Sequence, residues 1–208
     1  MLSLFRPKKR IKHMAIKRLL KKTLNVNGVK IEKYSYDPND DSIYIYVSLL
    51  KGHKNRCPVC GKKCSGYDQT TVERKWRALD INWHKVYIVC DVHRVLCKDH
   101  GVHTEEVPWA RHGSGFTKEF EDSVAWMAIS LTKKDVSEYM RINWKTVGVI
   151  LSRVFREKEP DSSVRWANLR RIGIDETSYR KGHKYITVVT DHDRNQVVWA
   201  GVGHDSET

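Results

Sequence analysis

The 208-residue sequence predicts a mixed α/β chain built from several small modules rather than one large core. Three observations carry this. Cysteine and histidine gather in one stretch, Cys57 to His103, as two pairs of equal spacing. Between Phe116 and Arg156 apolar residues recur with a helical period. On either side of these stretches, over residues 29–50 and 171–202, β-branched and aromatic runs are punctuated by turn residues, as in strands.

The formal net charge of +13, with 30% charged and 40% hydrophobic residues, describes a soluble, foldable and strongly basic chain. Such an excess calls for a polyanionic partner. No apolar run reaches the length of a membrane span, so a membrane partner is not expected. Met1–Lys22 carries nine Lys or Arg and no acid, and lacks the apolar core of a signal peptide. A reducing, cytoplasmic setting follows, with the chain associated with a bacterial nucleoid. The five cysteines then read as metal ligands or buried thiols rather than disulfides.

Residues 1–50 form a small N-terminal α+β module. Residues 1–13 read as a flexible basic arm. Ile16, Leu19, Leu20 and Leu24 recur at helical spacing among lysines. Asn27-Gly28 marks a turn, and two strands, Val29–Tyr36 and Ile43–Leu50, flank the loop Asp37–Asp41.

Residues 51–108 read as a zinc-ribbon-like β module. Cys57-Pro-Val-Cys60-Gly has the spacing at which two thiolates share one tetrahedral ion, and the glycine lets the backbone turn beneath it. Cys97-Lys-Asp-His100-Gly repeats the spacing 36 residues on, with strands expected at Trp76–Trp83 and Lys85–Leu96 between them. Cys57, Cys60, Cys97 and His100 are the expected zinc ligands. Four protein ligands leave no position for substrate, so the zinc is structural. Cys64, Cys90, His93 and His103 compete for the same ion, Cys90 reading best as a buried strand thiol.

Residues 109–160 read as a helix-turn-helix. Thr117 caps a helix with Phe120, Val124, Met127, Ala128 and Leu131 on one face. Thr132-Lys-Lys-Asp135 opens a short second helix through Tyr139. Met140-Arg141-Ile142 turns the chain, and Asn143 caps a third helix with Val147, Ile150, Leu151 and Val154 inward. That last helix is the one expected in the major groove of double-stranded DNA. Trp144, Lys145, Gly148 and Ser152 face outward, and Arg153 and Arg156 are expected at phosphates.

Pro160–Ser163 reads as a linker. Residues 168–208 read as a partial RNase H-like antiparallel β meander, with strands at 172–176, 185–190 and 196–202 and an acid, Asp175, emerging from the first. If the first two strands form a hairpin, Asp175 falls opposite Lys184–Tyr185. Asp191 is then roughly 20 Å away along the strand.

The succession CPVC, RVLCKDH, helix-turn-helix and IGIDETSYRKGHKYITVVTDHD resembles the ISL3 family of insertion-sequence transposases. The resemblance runs from roughly the first helix to the end and is most specific over Ile172–Asp193. It implies a zinc-ribbon-like N-terminus, a helix-turn-helix and a DDE catalytic domain of RNase H-like fold. Asp175 matches the first acid of the triad, a ligand for Mg or Mn. Cys57, Cys60, Cys97 and His100 match the zinc positions, His100 standing where Cys is common. The other two acids of the family lie beyond this sequence, so it reads as a truncated form. It is expected to bind inverted-repeat ends of a mobile element without cutting them. Self-association, or partnership with a downstream transposase fragment, is also expected. The alternative is an orphan zinc and helix-turn-helix DNA-binding protein with no catalysis of its own.

Overall fold

The computed structural model describes residues 9–158, 162–180 and 184–203, which divide into two compact units, Met1–Val154 and Phe155–Thr208. The arm expected at residues 1–13 falls partly outside the described residues. Its last part, from Lys9, already belongs to helix α1 (Lys9–Thr23). Half of the expected linker, Pro160 and Asp161, also lies outside them, as do the tail acids Asp205 and Glu207.

In the first unit, strands β1 (Val29–Asp37), β2 (Ser42–Leu49), β3 (Ser65–Ile81), β4 (His84–Cys97) and β5 (Gly101–Thr104) form one sheet. The order is β1-β2-β4-β3, with β5 on β4. Strands from the expected 1–50 and 51–108 modules therefore share a sheet. β2 runs parallel to β4, Ser42 opposite Lys85 and Val47 opposite Cys90. Alternation along β2 sends Ile45, Val47 and Leu49 into the core. There they meet Leu24, Val29, Val86, Ile88 and Trp76. Trp109 closes that core edge-on to Trp76, with ring centroids 5.4 Å apart.

β3 begins eleven residues before the expected Trp76, and Trp83 sits in the β3–β4 turn beside Asn82, whose φ is 58°. Residues 65–75 are mostly exposed and polar, so no alternation betrays them. Pairing with β4 makes them a strand, Thr71 opposite His93 and Lys75 opposite Val89.

The helical part follows its local signals closely. Helix α2 (Lys118–Met127) is capped by Thr117, whose hydroxyl accepts from the Phe120 N–H. Helix α3 (Lys133–Met140) starts from a reciprocal box: Thr132 Oγ1 accepts from the Asp135 N–H at 3.2 Å and donates to Asp135 Oδ2 at 2.7 Å. Arg141 ends it in the left-handed conformation. Helix α4 (Trp144–Lys158) begins at Asn143, whose Oδ1 accepts from the Lys145 N–H at 2.9 Å. Phe120, Val124, Val136, Met140, Val147, Ile150 and Val154 form the shared core. Leu131, expected on the inner face of α2, lies past the helix end and is half exposed.

In the second unit β6 (Ile172–Arg180), β7 (Lys184–Asp191) and β8 (Gln196–Val202) form an antiparallel meander. Its register differs from the hairpin estimate: Arg180 pairs with Lys184, and Asp175 pairs with Val188. β6 runs on past residue 176, which shifts the pairing. Asp191 is thus three positions from the partner of Asp175, or about 10 Å along the strand.

Candidate metal centre and nucleic-acid interface

The first knuckle hangs in the loop between β2 and β3, and the second is the β4–β5 turn. In each, a glycine with positive φ (Gly61, 67°; Gly101, 76°) supplies the reversal that follows the second ligand. The Gly61 N–H donates to the Cys57 carbonyl, and the Cys57 N–H to the Lys62 carbonyl, both at 2.9 Å. Lys62 pairs with Asp99 across the two knuckles at 2.9 Å.

These turns bring Cys57, Cys60, Cys97 and His100 together, with all four ligand atoms within 4.8 Å of one another. Cys60 Sγ lies 3.8 Å from Cys97 Sγ, and Cys97 Sγ lies 3.5 Å from His100 Nδ1. Ligands on a tetrahedral zinc, each about 2.0–2.3 Å from the ion, stand at such mutual distances. The His100 hydrogen bond is the main cause that holds the Cys97 thiol down at about 6, which readies it as a thiolate.

Three of the four competing residues are otherwise engaged. Cys90 is buried in β4, and desolvation pushes its thiol up to about 12. His93 Nδ1 pairs with the buried Glu105 carboxylate at 2.8 Å, and its Nε2 meets Asn55 Oδ1. Glu105 also accepts from the Asn55 N–H at 2.9 Å, which ties the first knuckle loop to the sheet. His103 Nε2 is 2.8 Å from the His100 carbonyl, and its ring meets His112 edge-on. Cys64 stays beside the cluster, its thiol pushed up first by desolvation and then by Cys97.

On α4, Asn143, Trp144, Lys145, Ser152 and Arg156 are exposed and Gly148 is half-buried. Arg153 departs from the outward, phosphate-facing position expected of it. Its guanidinium turns inward onto Glu121, a fully buried acid of α2. Glu121 also meets Arg111 at 3.2 Å and accepts from the Ser114 hydroxyl at 2.7 Å. A charge buried on α2 draws the nearest cation on α4 to itself.

Sequence reading missed two further features. Val149 is 56% exposed and completes a stripe Lys145, Val149, Ser152, Arg156 at helical spacing. An apolar residue on the polar side of an amphipathic helix was the available signal. Arg141, in the turn, reaches back to the β3–β4 hairpin, where it pairs with Asp80 and donates to the Trp83 carbonyl at 2.7 Å. Asp80 also holds Arg77 at 2.6 Å. The helical core is thereby fastened to the sheet.

Asp175 lies exposed on β6, its Oδ1 accepting from the Glu176 N–H at 2.9 Å. Asp191 is buried, accepts from the Asp193 N–H at 2.8 Å and pairs with Arg194. Asp193 pairs with Arg171 at 2.5 Å. These last two acids shape the β7–β8 turn. Among the described residues, no helix is long and apolar enough to cross a membrane.

Three family models match the chain. Residues 53–100 match the zinc-finger of transposase IS204/IS1001/IS1096/IS1165. Residues 105–154 match the helix-turn-helix domain of transposase family ISL3, and residues 172–208 match a transposase domain of the same family. The chain is 49% identical over 153 residues to the transposase for insertion sequence element IS1557 from two strains of Mycobacterium tuberculosis. It is 29% identical over 155 residues to the transposase for insertion sequence element IS1001 of Bordetella parapertussis. These matches take in 74% and 73% of this chain but only 34% and 37% of those relatives, so it spans about a third of their length. No solved structure matches. The zinc-finger, helix-turn-helix and transposase-domain matches fall in one order along one sequence, and with these relatives they identify the chain as a member of the ISL3 transposase family.

Proposed function

We propose that this chain is the DNA-recognition portion of an insertion-sequence transposase, which grips the inverted-repeat ends of its element through α4. The observation that carries the reading is the exposed stripe on α4, on a helix-turn-helix whose turn is tied by Arg141 to the cysteine-bearing sheet. In this reading Lys145 meets a base edge, Val149 a thymine methyl and Arg156 a phosphate, while Asn143, Trp144, Gly148 and Ser152 line the same contact. Arg153 orients α4 through Glu121 instead of meeting phosphate. Residues 51–108 act as a zinc-bearing support, residues 109–160 as the reader, and residues 168–208 as the opening of an RNase H-like catalytic domain. The setting is the bacterial nucleoid. Self-association or a downstream transposase segment would supply the rest of the machinery.

Binding to an inverted-repeat duplex, followed by fluorescence anisotropy across a salt series, tests this. Lys145→Ala should cost about tenfold or more in affinity and relax sequence preference, since a good base contact is worth about 1–3 kcal/mol. Arg156→Ala should weaken binding to all duplexes and reduce the salt slope by about 1. An unchanged affinity and preference in Lys145→Ala would show that α4 is not the reading helix.

A divalent ion such as Mg or Mn, held by Asp175 with further carboxylates of an intact enzyme, would supply Lewis-acid activation of the attacking oxygen. Asp175 offers one exposed carboxylate, a suitable donor for such an ion, which keeps most of its waters. Asp191 and Asp193 are committed to a turn. The chain by itself is therefore expected to bind element ends without nicking or joining them in Mg or Mn. Strand cutting that disappears in Asp175→Ala would overturn this expectation.

A further inference from the structure

We propose that His192 is a second ligand, beside Asp175, for a single divalent cation on one face of the meander; this rests on the reading of Asp175 as a metal ligand. Alternation along β6 places Gly173 and Asp175 on the same face. Their partners Thr190 and Val188 share it, and His192 follows two residues after Thr190. The backbone at His192 is fixed past the strand end, its N–H donating to the Arg171 carbonyl at 2.9 Å.

Gly173 makes room for the ring. A Cβ at this position would stand 2.5 Å from His192 Nε2 and 2.9 Å from Thr190 Oγ1. A side chain at this position would push the imidazole aside. The ring nitrogen therefore lies beside position 173, on the sheet face that also carries Asp175 two residues on. With metal–ligand bonds of about 2 Å each, the imidazole leans from position 173 toward Asp175 to share one ion. Thr190 is not a competitor, because its hydroxyl donates to the Gly173 carbonyl at 3.3 Å. A carboxylate paired with an imidazole favours a transition-series divalent ion such as Mn²⁺ over Mg²⁺, which prefers oxygen donors alone.

The test uses the zinc-loaded full chain, labelled for imidazole and amide nitrogen signals, with Mn²⁺ added well below stoichiometry. The His192 ring and the Glu176 amide should broaden together. Both effects should vanish in Asp175→Asn. In Gly173→Ala the Glu176 amide should still broaden while His192 does not. His192→Gln should weaken Mn²⁺ binding about tenfold, in the range of losses seen when a metal site's supporting groups are removed. Broadening at Glu176 with a sharp His192 ring would overturn the assignment of His192 and leave Asp175 standing. Sharp signals at both would remove Asp175 as a metal ligand, and His192 with it.

Discussion

Chelation of zinc from the purified protein is expected to unfold the knuckle end of the five-stranded sheet, from residues 53–64 through the β4–β5 turn. Cys57 and Cys97 are buried, and without an ion the four ligand atoms, packed within 4.8 Å of one another, must take up protons or repel as thiolates. Structural zinc contributes about 10–16 kcal/mol in isolated finger peptides, where nothing else holds the fold. Here the core around Ile45, Val86 and Trp76 is separate from the cluster, so part of the sheet should persist. We expect a loss of about 5 kcal/mol and a fall of about 10–20 °C in melting midpoint, with about one zinc released per chain. Metal analysis and melting curves check both numbers. Full zinc retention in a Cys97→Ala, His100→Ala double variant would rule out this ligand set.

Glu121→Ala should be nearly as damaging, by a different route. The acid is fully buried and faces Arg111, Arg153 and the Ser114 hydroxyl. Its removal leaves two guanidinium groups in and around a helical core with their shared counter-charge gone. Breaking one partner of a buried ion network costs about 3–5 kcal/mol. At about 2–4 °C per kcal/mol the melting midpoint should fall by about 10 °C. DNA affinity should fall with it, because Arg153 no longer seats α4. Denaturant titration of the helical signal measures the cost. A change below about 1 kcal/mol would mean that the network is solvated and dispensable.

The helix-turn-helix and the metal cluster were legible because their signals are local. Thr117, Thr132 with Asp135, and Asn143 each satisfy a neighbouring backbone N–H, which needs nothing from the rest of the chain. The knuckles declare themselves through ligand spacing and a following glycine. What depended on distant partners was not legible. Residues 65–75 carry no strand pattern and are strand only because β4 lies beside them. The register of the meander turned on where β6 ends, which apolar pattern did not mark. Arg153 looked like a phosphate contact until the buried acid across the helical core was known. Periodicity sorts inside from outside, but it does not say which buried charge an arginine answers.

The parallel pairing of β2 with β4 has a consequence for synthesis. The strand that completes one edge of β2 emerges from the ribosome about 40 residues after it, and such non-local pairings form slowly. At about 5–20 residues per second the nascent chain spends about 2–8 seconds with that edge open. During this interval Ile43, Ile45, Val47 and Leu49 present an apolar, β-prone ribbon able to join another ribbon like itself. The basic N-terminal stretch and the lysines of α1 travel just ahead of it, and their mutual repulsion keeps neighbouring nascent chains apart until β4 arrives.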